Sequence, residues 1–240
     1  MTSRLSMPVI NVSSTGLREA LAAGEPTPML HPAVREYCLL RGFYGAEPGY
    51  EQAEIWLAEL FQTLNRHRFV HSLCVAGTAR TLARIHGVSR EKAEVAALLH
   101  DCAKCMPLRE MQRIAAERQL TEDEFILGSS AMLHAPVGAC LCREVYGVDD
   151  PEILHAITCH TTGQAGMSRL DLIVWLADKI EPTREARPEI TKGRMMAPLS
   201  LEKAALTVME ASAAYVMSRG RGMHPATLET IDWLKQGIAG

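Results

Sequence analysis

The stretch "AALLHDCAK" (residues 96–104) places His100 and Asp101 directly at the end of an apolar run, with Lys104 one helical turn further on. Ionisable side chains in an apolar setting are costly unless they are paired, hydrogen-bonded or bound to a metal ion. An imidazole beside a carboxylate is a donor pair that divalent metals accept. A metal site is therefore the first hypothesis for this corner of the chain.

Helical spacing separates the nine histidines into inward-facing and outward-facing groups. His71 shares the apolar stripe of its helix with Val75 and Leu82, at positions i, i+4 and i+11. Two more histidines extend the apolar stripes of later helices, and an aspartate ends the apolar run "LIVWLADKI". With the histidine of "MLHAP", the inward candidates are His71, His100, Asp101, His134, His160 and Asp178.

Each candidate taken alone has a structural explanation. A single inward histidine is more often a neutral core residue bonded to a backbone carbonyl, and Asp178 alone could pair with an arginine. Six such groups without partners would together cost several kcal/mol, at about 1–3 kcal/mol for each group. A shared cation removes that cost at every position. Imidazole and carboxylate donors suit iron, manganese, cobalt, nickel or zinc better than calcium or magnesium.

The elements that must position these side chains read as helices from about residue 50 onward, and we predict an all-α domain. Ser89 and Ser168 are suited to be N-caps, and Gly87 is suited to end a helix. Pro136 predicts a helix that begins just after His134. Alternating β-type runs are nearly absent, and aromatic residues make up only 5% of the chain.

Composition excludes several classes of protein. The 240 residues are 48% hydrophobic and 22% charged, as in ordinary globular proteins. A net charge of −3 gives no reason to expect nucleic-acid binding. No apolar run approaches the roughly 18 residues of a membrane span, and "MTSRLSMPVINVSS" lacks a signal-peptide core, so we expect a cytoplasmic protein. Seven cysteines, including the pair Cys102 and Cys105, are interpreted as reduced thiols.

Three long motifs carry a resemblance to a known family. "HSLCVAGTARTLARIHGVSREKAEVAALLHDCAK", "LHAPVGA" and "HTTGQAGMSRLDLIVWLADKIEPTR" closely resemble the YqeK family of HD-domain phosphohydrolases, over roughly residues 55–236. The resemblance implies an HD-domain helical bundle with a di-iron centre that hydrolyses dinucleoside tetraphosphates symmetrically. The cysteines at 102 and 105 depart from what we expect in many relatives, but they leave every candidate ligand in place.

The resemblance assigns the same six side chains that the helical faces select. It implies that His71, His100, Asp101 and Asp178 hold one metal ion. It further implies that His134, His160 and a bridging Asp101 hold the second, with iron as the first expectation and cobalt, manganese, nickel or zinc as alternatives. Two such cations, divalent or of mixed valence and about 3.5–4 Å apart, can activate water for attack on phosphorus.

A strongly anionic substrate such as diadenosine tetraphosphate predicts cationic side chains beside the metals. Lys104 is the first choice for a catalytic phosphate clamp, followed by Lys179 and Arg184. An ordinary solvated charge is the alternative for each of them. The segment Thr161, Thr162 and Gly163 could donate hydrogen bonds to the substrate, or could be only a helix-ending turn.

Three functions remain open at this point. The first is symmetrical cleavage of diadenosine tetraphosphate into two nucleoside diphosphates by a bis(5'-nucleosyl)-tetraphosphatase, which only the resemblance implies. The second is an HD-domain enzyme for another nucleotide or a phosphomonoester. The third is a non-catalytic nucleotide-binding metal module. The residues alone support metal-dependent hydrolysis of a phosphate ester or anhydride. The relatives also suggest a homodimer; no nucleic acid or membrane partner is expected.

The first 48 residues differ from the rest and are similar to the C-terminal tail of nicotinate-nucleotide adenylyltransferases. Ser13, Ser14, Thr15 and Arg18 match the positions of that family's phosphate-binding "ISSTxIR" motif. The remainder of that enzyme is missing, so we do not expect adenylyl transfer from this chain alone.

We expect this segment, residues 1–48, to be a remnant of a fused gene, a linker or the end of a truncated gene model, followed by the HD domain over residues 49–240. It should contain one isolated strand at residues 8–12, without sheet partners, and short helices at residues 17–23 and 32–40. The Gly-rich stretch at residues 42–49 marks the boundary.

Overall fold

A computed structural model describes residues 13–46, 52–220 and 222–239. These residues form helices joined by short loops, and no strand occurs among them, which confirms the all-α prediction. The helices are α1 (Ser14–Ala22), α2 (Pro32–Leu40), α3 (Ala53–Thr63), α4 (Arg66–His86), α5 (Arg90–Leu99), α6 (Leu108–Arg118), α7 (Glu124–Leu127), α8 (Ser130–Glu144), α9 (Pro151–Cys159), α10 (Arg169–Ile180), α11 (Pro188–Met196), α12 (Leu201–Ser218) and α13 (Pro225–Ala239).

Helix α4 lies at the centre of the bundle and packs against α2, α5 and α10. Helix α9 packs against α5, α8 and α10. A main hydrophobic core runs through these helices, and a smaller one lies under α6 and α8. The five helices α4, α5, α8, α9 and α10 therefore surround one interior region, and each of them or the turn after it carries a candidate ligand.

The predicted helix caps are confirmed. Ser89 Oγ accepts a hydrogen bond from the Lys92 N–H at 3.3 Å. Ser168 forms a capping box with Asp171 at the start of α10. Gly87 ends α4 with a left-handed φ of +67°. These caps fix where α4, α5 and α10 begin or end, and so fix the helix faces on which the ligands lie.

The prediction that Pro136 begins a helix is wrong. Pro136 lies inside α8, which starts at Ser130, so His134 is in that helix and not in the loop before it. The proline removes one backbone donor. The helix continues through it because the flanking Leu133 and Val137 are fully buried in the smaller core.

The short N-terminal helices occur close to where the sequence predicted them. Helix α2 packs on α4, and its Leu40 belongs to the same core as the HD helices. The predicted strand at residues 8–12 lies outside the described residues, as do residues 47–51. The domain boundary near residue 48 stays a prediction. Among the described helices, none combines the length and apolar character needed to cross a bilayer.

Candidate metal centre

Six polar side chains converge in the region that α4, α5, α8, α9 and α10 enclose. All six are buried, although they come from positions spread over more than a hundred residues of the chain. Potential ligand atoms group within 4.8 Å of one another in three overlapping triads. The residues that the structure brings together are His71, His100, Asp101, His134, His160 and Asp178.

Asp101 stands between two groups of histidines and offers one oxygen to each. Its Oδ1 lies 3.0 Å from His134 Nε2 and 3.7 Å from His160 Nε2. Its Oδ2 lies 3.6 Å from His100 Nε2 and 3.9 Å from His71 Nε2. The Asp101 carboxylate therefore lies within reach of both groups of histidines.

Asp178 completes the first of these groups from α10. Its Oδ1 lies 3.0 Å from His71 Nε2 and 3.7 Å from His100 Nε2. Because Asp178 is close to the end of α10, its carboxylate reaches the same side of the centre as Asp101 Oδ2. The first group thus has two imidazoles and two carboxylates, and the second has two imidazoles and one shared carboxylate.

Backbone carbonyls orient three of the imidazoles. The Nδ1 atoms of His100, His134 and His160 lie 2.7, 3.1 and 2.6 Å from carbonyl oxygens three or four residues earlier. Since a carbonyl only accepts hydrogen bonds, Nδ1 carries the proton and Nε2 presents a lone pair to the centre. Metal-ligating histidines in proteins are commonly fixed in this way.

Burial sets the protonation of the second group. It lowers the pKa of His160 to about 3, and it also lowers the pKa of His134, so both rings are neutral at neutral pH. Burial would raise the pKa of Asp101, but the surrounding imidazoles and the Lys104 ammonium group hold it well below its usual range. Neutral imidazoles around an ionised carboxylate form a donor set for a divalent cation.

His71 differs from the other three because carboxylates face both of its nitrogens. Its Nδ1 lies 3.1 Å from Glu181 Oε1, and its Nε2 lies 3.0 Å from Asp178 Oδ1. Burial lowers the pKa of His71, but these two hydrogen bonds raise it above its ordinary value overall. A cation at Nε2 would replace the proton there, as metal binding to histidine requires.

The Nε2 atom of His100 is evidence that this donor set fits a metal ion. It is fully buried and has no hydrogen-bond partner among the described residues. The nearest carboxylate oxygens, on Asp101 and Asp178, are 3.6 and 3.7 Å away, too far for a hydrogen bond. A buried lone pair that faces two carboxylates across such gaps is satisfied by a cation lying between them.

Cationic side chains form the rim of the centre. Lys104 Nζ lies 3.1 Å from His134 Nε2 and 3.6 Å from Asp101 Oδ1, and burial lowers the pKa of its amine. Lys179 Nζ donates to Asp178 Oδ2 at 2.6 Å, and Arg184 donates to Asp178 Oδ1 at 2.7 Å. All three predicted clamps thus contact the carboxylates of the centre.

Two residues at the centre escaped the sequence analysis. Arg68 donates to Asp101 Oδ2 at 3.0 Å. Glu181, which is buried, holds His71 Nδ1 and also accepts hydrogen bonds from the backbone and hydroxyl of Thr183. Their spacing was a usable signal, since Arg68 precedes His71 by three residues and Glu181 follows Asp178 by three.

The segment after His160 makes the contacts of a helix-ending turn. The Thr162 hydroxyl donates to the Gly163 carbonyl at 3.0 Å, and the Thr162 carbonyl accepts from Thr227 on α13 at 2.8 Å. Gly163 has a φ of +72°, and a Cβ there would lie 3.0 Å from the Thr230 hydroxyl. The hydrogen bonds predicted from this segment, including Thr161, to the substrate stay a prediction.

Comparisons with known proteins agree with the fold. The family model described as HD domain matches residues 68–183. The protein named bis(5'-nucleosyl)-tetraphosphatase, symmetrical, of Bacillus subtilis is 36% identical over 181 residues, which are 75% of this chain and 96% of that protein. A solved structure, described as a predicted HD superfamily hydrolase involved in NAD metabolism from Clostridium acetobutylicum, has a TM-score of 0.74 and 34% identity and covers 77% of this chain and 97% of that one.

The helical bundle with a His–Asp pair at its centre is that of an HD-domain protein. Within this class, the chain belongs to the family of the B. subtilis relative, as the YqeK resemblance predicted. A Mycoplasma genitalium relative named "Probable nicotinate-nucleotide adenylyltransferase/Ap4A hydrolase" is 39% identical over 119 residues, which are 49% of this chain and 33% of that protein. Its double name fits the adenylyltransferase-like motif at the N-terminus.

Proposed function

We propose that this protein is a metal-dependent bis(5'-nucleosyl)-tetraphosphatase that splits diadenosine tetraphosphate symmetrically into two nucleoside diphosphates. The observation that carries the proposal is the position of Asp101, whose two oxygens face two separate pairs of imidazoles. The names of the relatives support the substrate, because three curated proteins at 33–36% identity carry the name of this activity.

We further propose that the six converging side chains hold two metal ions, with iron foremost and cobalt, manganese, nickel or zinc as alternatives. His71, His100, Asp101 and Asp178 would hold one ion, and His134, His160 and Asp101 the other. When bound, such ions lower the pKa of a water molecule and neutralise phosphate oxygens. The chain itself supplies neutral imidazoles held by backbone carbonyls, and carboxylates whose pKa values lie well below their usual range.

The cationic rim would bind the tetraphosphate. The side chains of Arg68, Lys104, Lys179 and Arg184 are between 23% and 34% exposed, whereas the carboxylates that they contact are nearly inaccessible. Phosphate oxygens at the mouth of the centre would therefore meet these cations before reaching Asp101 or Asp178. Positively charged side chains held around the transferring phosphate stabilise its negative charge in the transition state of phosphoryl transfer.

Lys104 would be the rim residue closest to the reacting phosphate. Its amine already lies between His134 and Asp101, which are two of the three proposed ligands of the second metal ion. Thr161, Thr162 and Gly163 would add hydrogen-bond donors next to His160.

Product analysis tests the proposed reaction. Anaerobically purified protein is incubated with diadenosine tetraphosphate and iron, cobalt or manganese, and the products are resolved by ion-exchange chromatography. Symmetrical cleavage gives the nucleoside diphosphate alone. A mixture of mono- and triphosphate would contradict the symmetry, and turnover only with other nucleotides or phosphomonoesters would indicate the alternative HD enzyme. Binding without turnover of any of these compounds would indicate the non-catalytic module.

The metal ions and the assembly need their own measurements. Metal analysis of protein purified without added chelator should find iron as the predominant metal, at about two iron ions per chain. A homodimer and a cytoplasmic location are further proposals, and light scattering on a size-exclusion column would test the first.

A further inference from the structure

A second group of potential metal ligands lies outside the centre described above. His155, Cys159 and Asp171 place a ring nitrogen, a thiol sulfur and a carboxylate oxygen within 4.8 Å of one another. None of the three belongs to the six converging residues, and no metal role for them follows from the proposed reaction.

The fold brings the three side chains to one seam between α9 and α10. His155 and Cys159 are four residues apart on α9, which puts them on one face of that helix. Asp171 lies in the first turn of α10, and its Oδ1 is 3.1 Å from His155 Nδ1. Cys159 and Asp171 are buried, whereas the His155 side chain is 43% exposed, so the seam is open to solvent on the histidine side.

One carboxylate oxygen of Asp171 is not accounted for by the hydrogen bonds of the fold. Its Oδ2 accepts a hydrogen bond from the Ser168 backbone N–H at 2.8 Å, which fixes the carboxylate. Its Oδ1 is buried and has no hydrogen-bond partner in the part of the chain that the structure describes, because the His155 ring is close but not aligned to donate. A buried carboxylate oxygen without a partner is costly, and here it is aimed at a thiol and an imidazole.

We propose that His155, Cys159 and Asp171 bind a zinc-like divalent cation. One nitrogen, one sulfur and one oxygen donor are a set that borderline-soft metals accept and that calcium and magnesium avoid. Zinc bonds of about 2.0–2.3 Å place tetrahedral ligand atoms within about 4 Å of one another, so the side chains need only a small approach. The exposed side at His155 leaves room for water as the fourth ligand.

This cation would join two helices that also serve the main centre. Cys159 is followed by His160, whose ring turns the other way, toward Asp101. Asp171 begins the helix that ends near Asp178. A metal ion between α9 and α10 would therefore tie together the two elements that carry these ligands, without sharing a residue with the main centre.

Cobalt substitution tests the site, because a cobalt–thiolate bond gives a charge-transfer absorption in the near ultraviolet that imidazole and carboxylate ligands do not give. Cobalt(II) is titrated anaerobically into the full-length protein. We expect this absorption in the wild type, its loss in Cys159→Ser, and its retention in Cys105→Ser, which removes an exposed thiol that accepts a hydrogen bond from Asn65.

His155→Ala provides a variant that does not depend on replacing a buried residue. We expect it to lose the charge-transfer absorption at cobalt concentrations that saturate the wild type, and to bind one ion fewer per chain, with an unchanged helical circular dichroism signal. No charge-transfer absorption in the wild type, or one that persists in Cys159→Ser, would overturn the site. Neither readout uses hydrolysis, so failure here is distinct from failure of the proposed function.

Discussion

Two buried polar clusters lie on the central helix α4 and are built in opposite ways. In the metal centre, four imidazoles and two carboxylates face inward, and the cationic side chains stay at the rim. In the second cluster, which we call the Arg80 cluster, Arg80 lies between Glu36 of α2 and Glu94 of α5, at 2.6 and 2.9 Å. There the positive charge is supplied by the chain itself.

The comparison shows how a closed cluster differs from one that is built for a ligand. Arg80 brings two carboxyl groups together without any external group. Burial raises the pKa of Glu36 to about 8, so that Glu36 keeps its proton at neutral pH. The charge of Arg80 is then balanced by the carboxylate of Glu94. Among the described residues, each cluster has one buried atom without a hydrogen-bond partner, Glu36 Oε1 in the Arg80 cluster and His100 Nε2 in the metal centre, but only the His100 atom faces the carboxylates of both Asp101 and Asp178. In the first arrangement the chain supplies its own cation, and the second is suited to bind an external cation.

The largest effect should follow from removing the shared carboxylate. We expect Asp101→Ala to lower kcat by about 10³-fold or more, because both proposed cations lose a ligand. The rate with the tetraphosphate measures this effect, and circular dichroism should show an unchanged helical signal. Glu117→Ala, an exposed acidic residue paired with Arg113, is the matched control and should keep full activity. If Asp101→Ala retained most of its activity, the metal mechanism would be wrong.

Removing Arg80 should break the other cluster and leave the chemistry intact. Arg80→Met leaves two buried carboxyl groups without their cation and should lower the free energy of unfolding by about 3–5 kcal/mol. Urea denaturation measures the loss. Arg113→Met removes the exposed pair with Glu117 and should cost less than about 1 kcal/mol.

The rate per folded molecule separates the two clusters. It should stay within about twofold of the wild type in Arg80→Met, since no group of the metal centre contacts Arg80 in the described residues. A large fall in kcat for folded Arg80→Met protein would show that the two clusters are coupled through α4.

A smaller effect should follow from loosening His71. Glu181→Gln weakens the hydrogen bond that positions His71 Nδ1, and we expect metal affinity to fall by about 10–100-fold. The metal concentration at half-maximal activity measures this change, and excess metal should restore kcat. Glu185→Gln, an exposed neighbour, is the control. A kcat that stays low at saturating metal would argue against a purely positioning role for Glu181.

The last effect concerns pH and belongs to the Arg80 cluster. The folded-state pKa of Glu36, about 8, lies above its ordinary value of 4.5, so the stability contributed by its proton is fully present below that ordinary value and is lost as pH rises through about 8. Glu36→Gln should flatten this part of the pH dependence. Urea midpoints measured between about pH 5 and about pH 9 test it, and an equally steep decline in the variant would assign the effect to another group.

Much of the fold and of the centre could be predicted from local patterns. Helical periodicity selected His71, His100 and His160 as inward-facing, and the caps at Ser89 and Ser168 set where two helices begin. These features depend on residues within one or two helical turns of each other, so a short stretch of sequence includes every residue that takes part.

Other features depended on which helices come together. Pro136 looked like a helix start, yet the packing of Leu133 and Val137 keeps α8 continuous through it. Glu181 and Arg68 gave only a spacing signal, because their roles depend on side chains far away in the chain. The ion pairs of Arg80 with Glu36 and Glu94 likewise join three helices, and no local sequence pattern predicts that these helices come together.

The sequence by itself determined the donor types, the helix faces on which they lie and the family to which the chain is related. Only the tertiary structure decided that Asp101 presents one oxygen to each pair of imidazoles, and that Asp171 meets His155 and Cys159 in a separate seam. The physical reason is that a helix face is fixed by backbone periodicity within a single element, whereas ångström-scale distances between ligands are fixed by how five helices pack around one buried space.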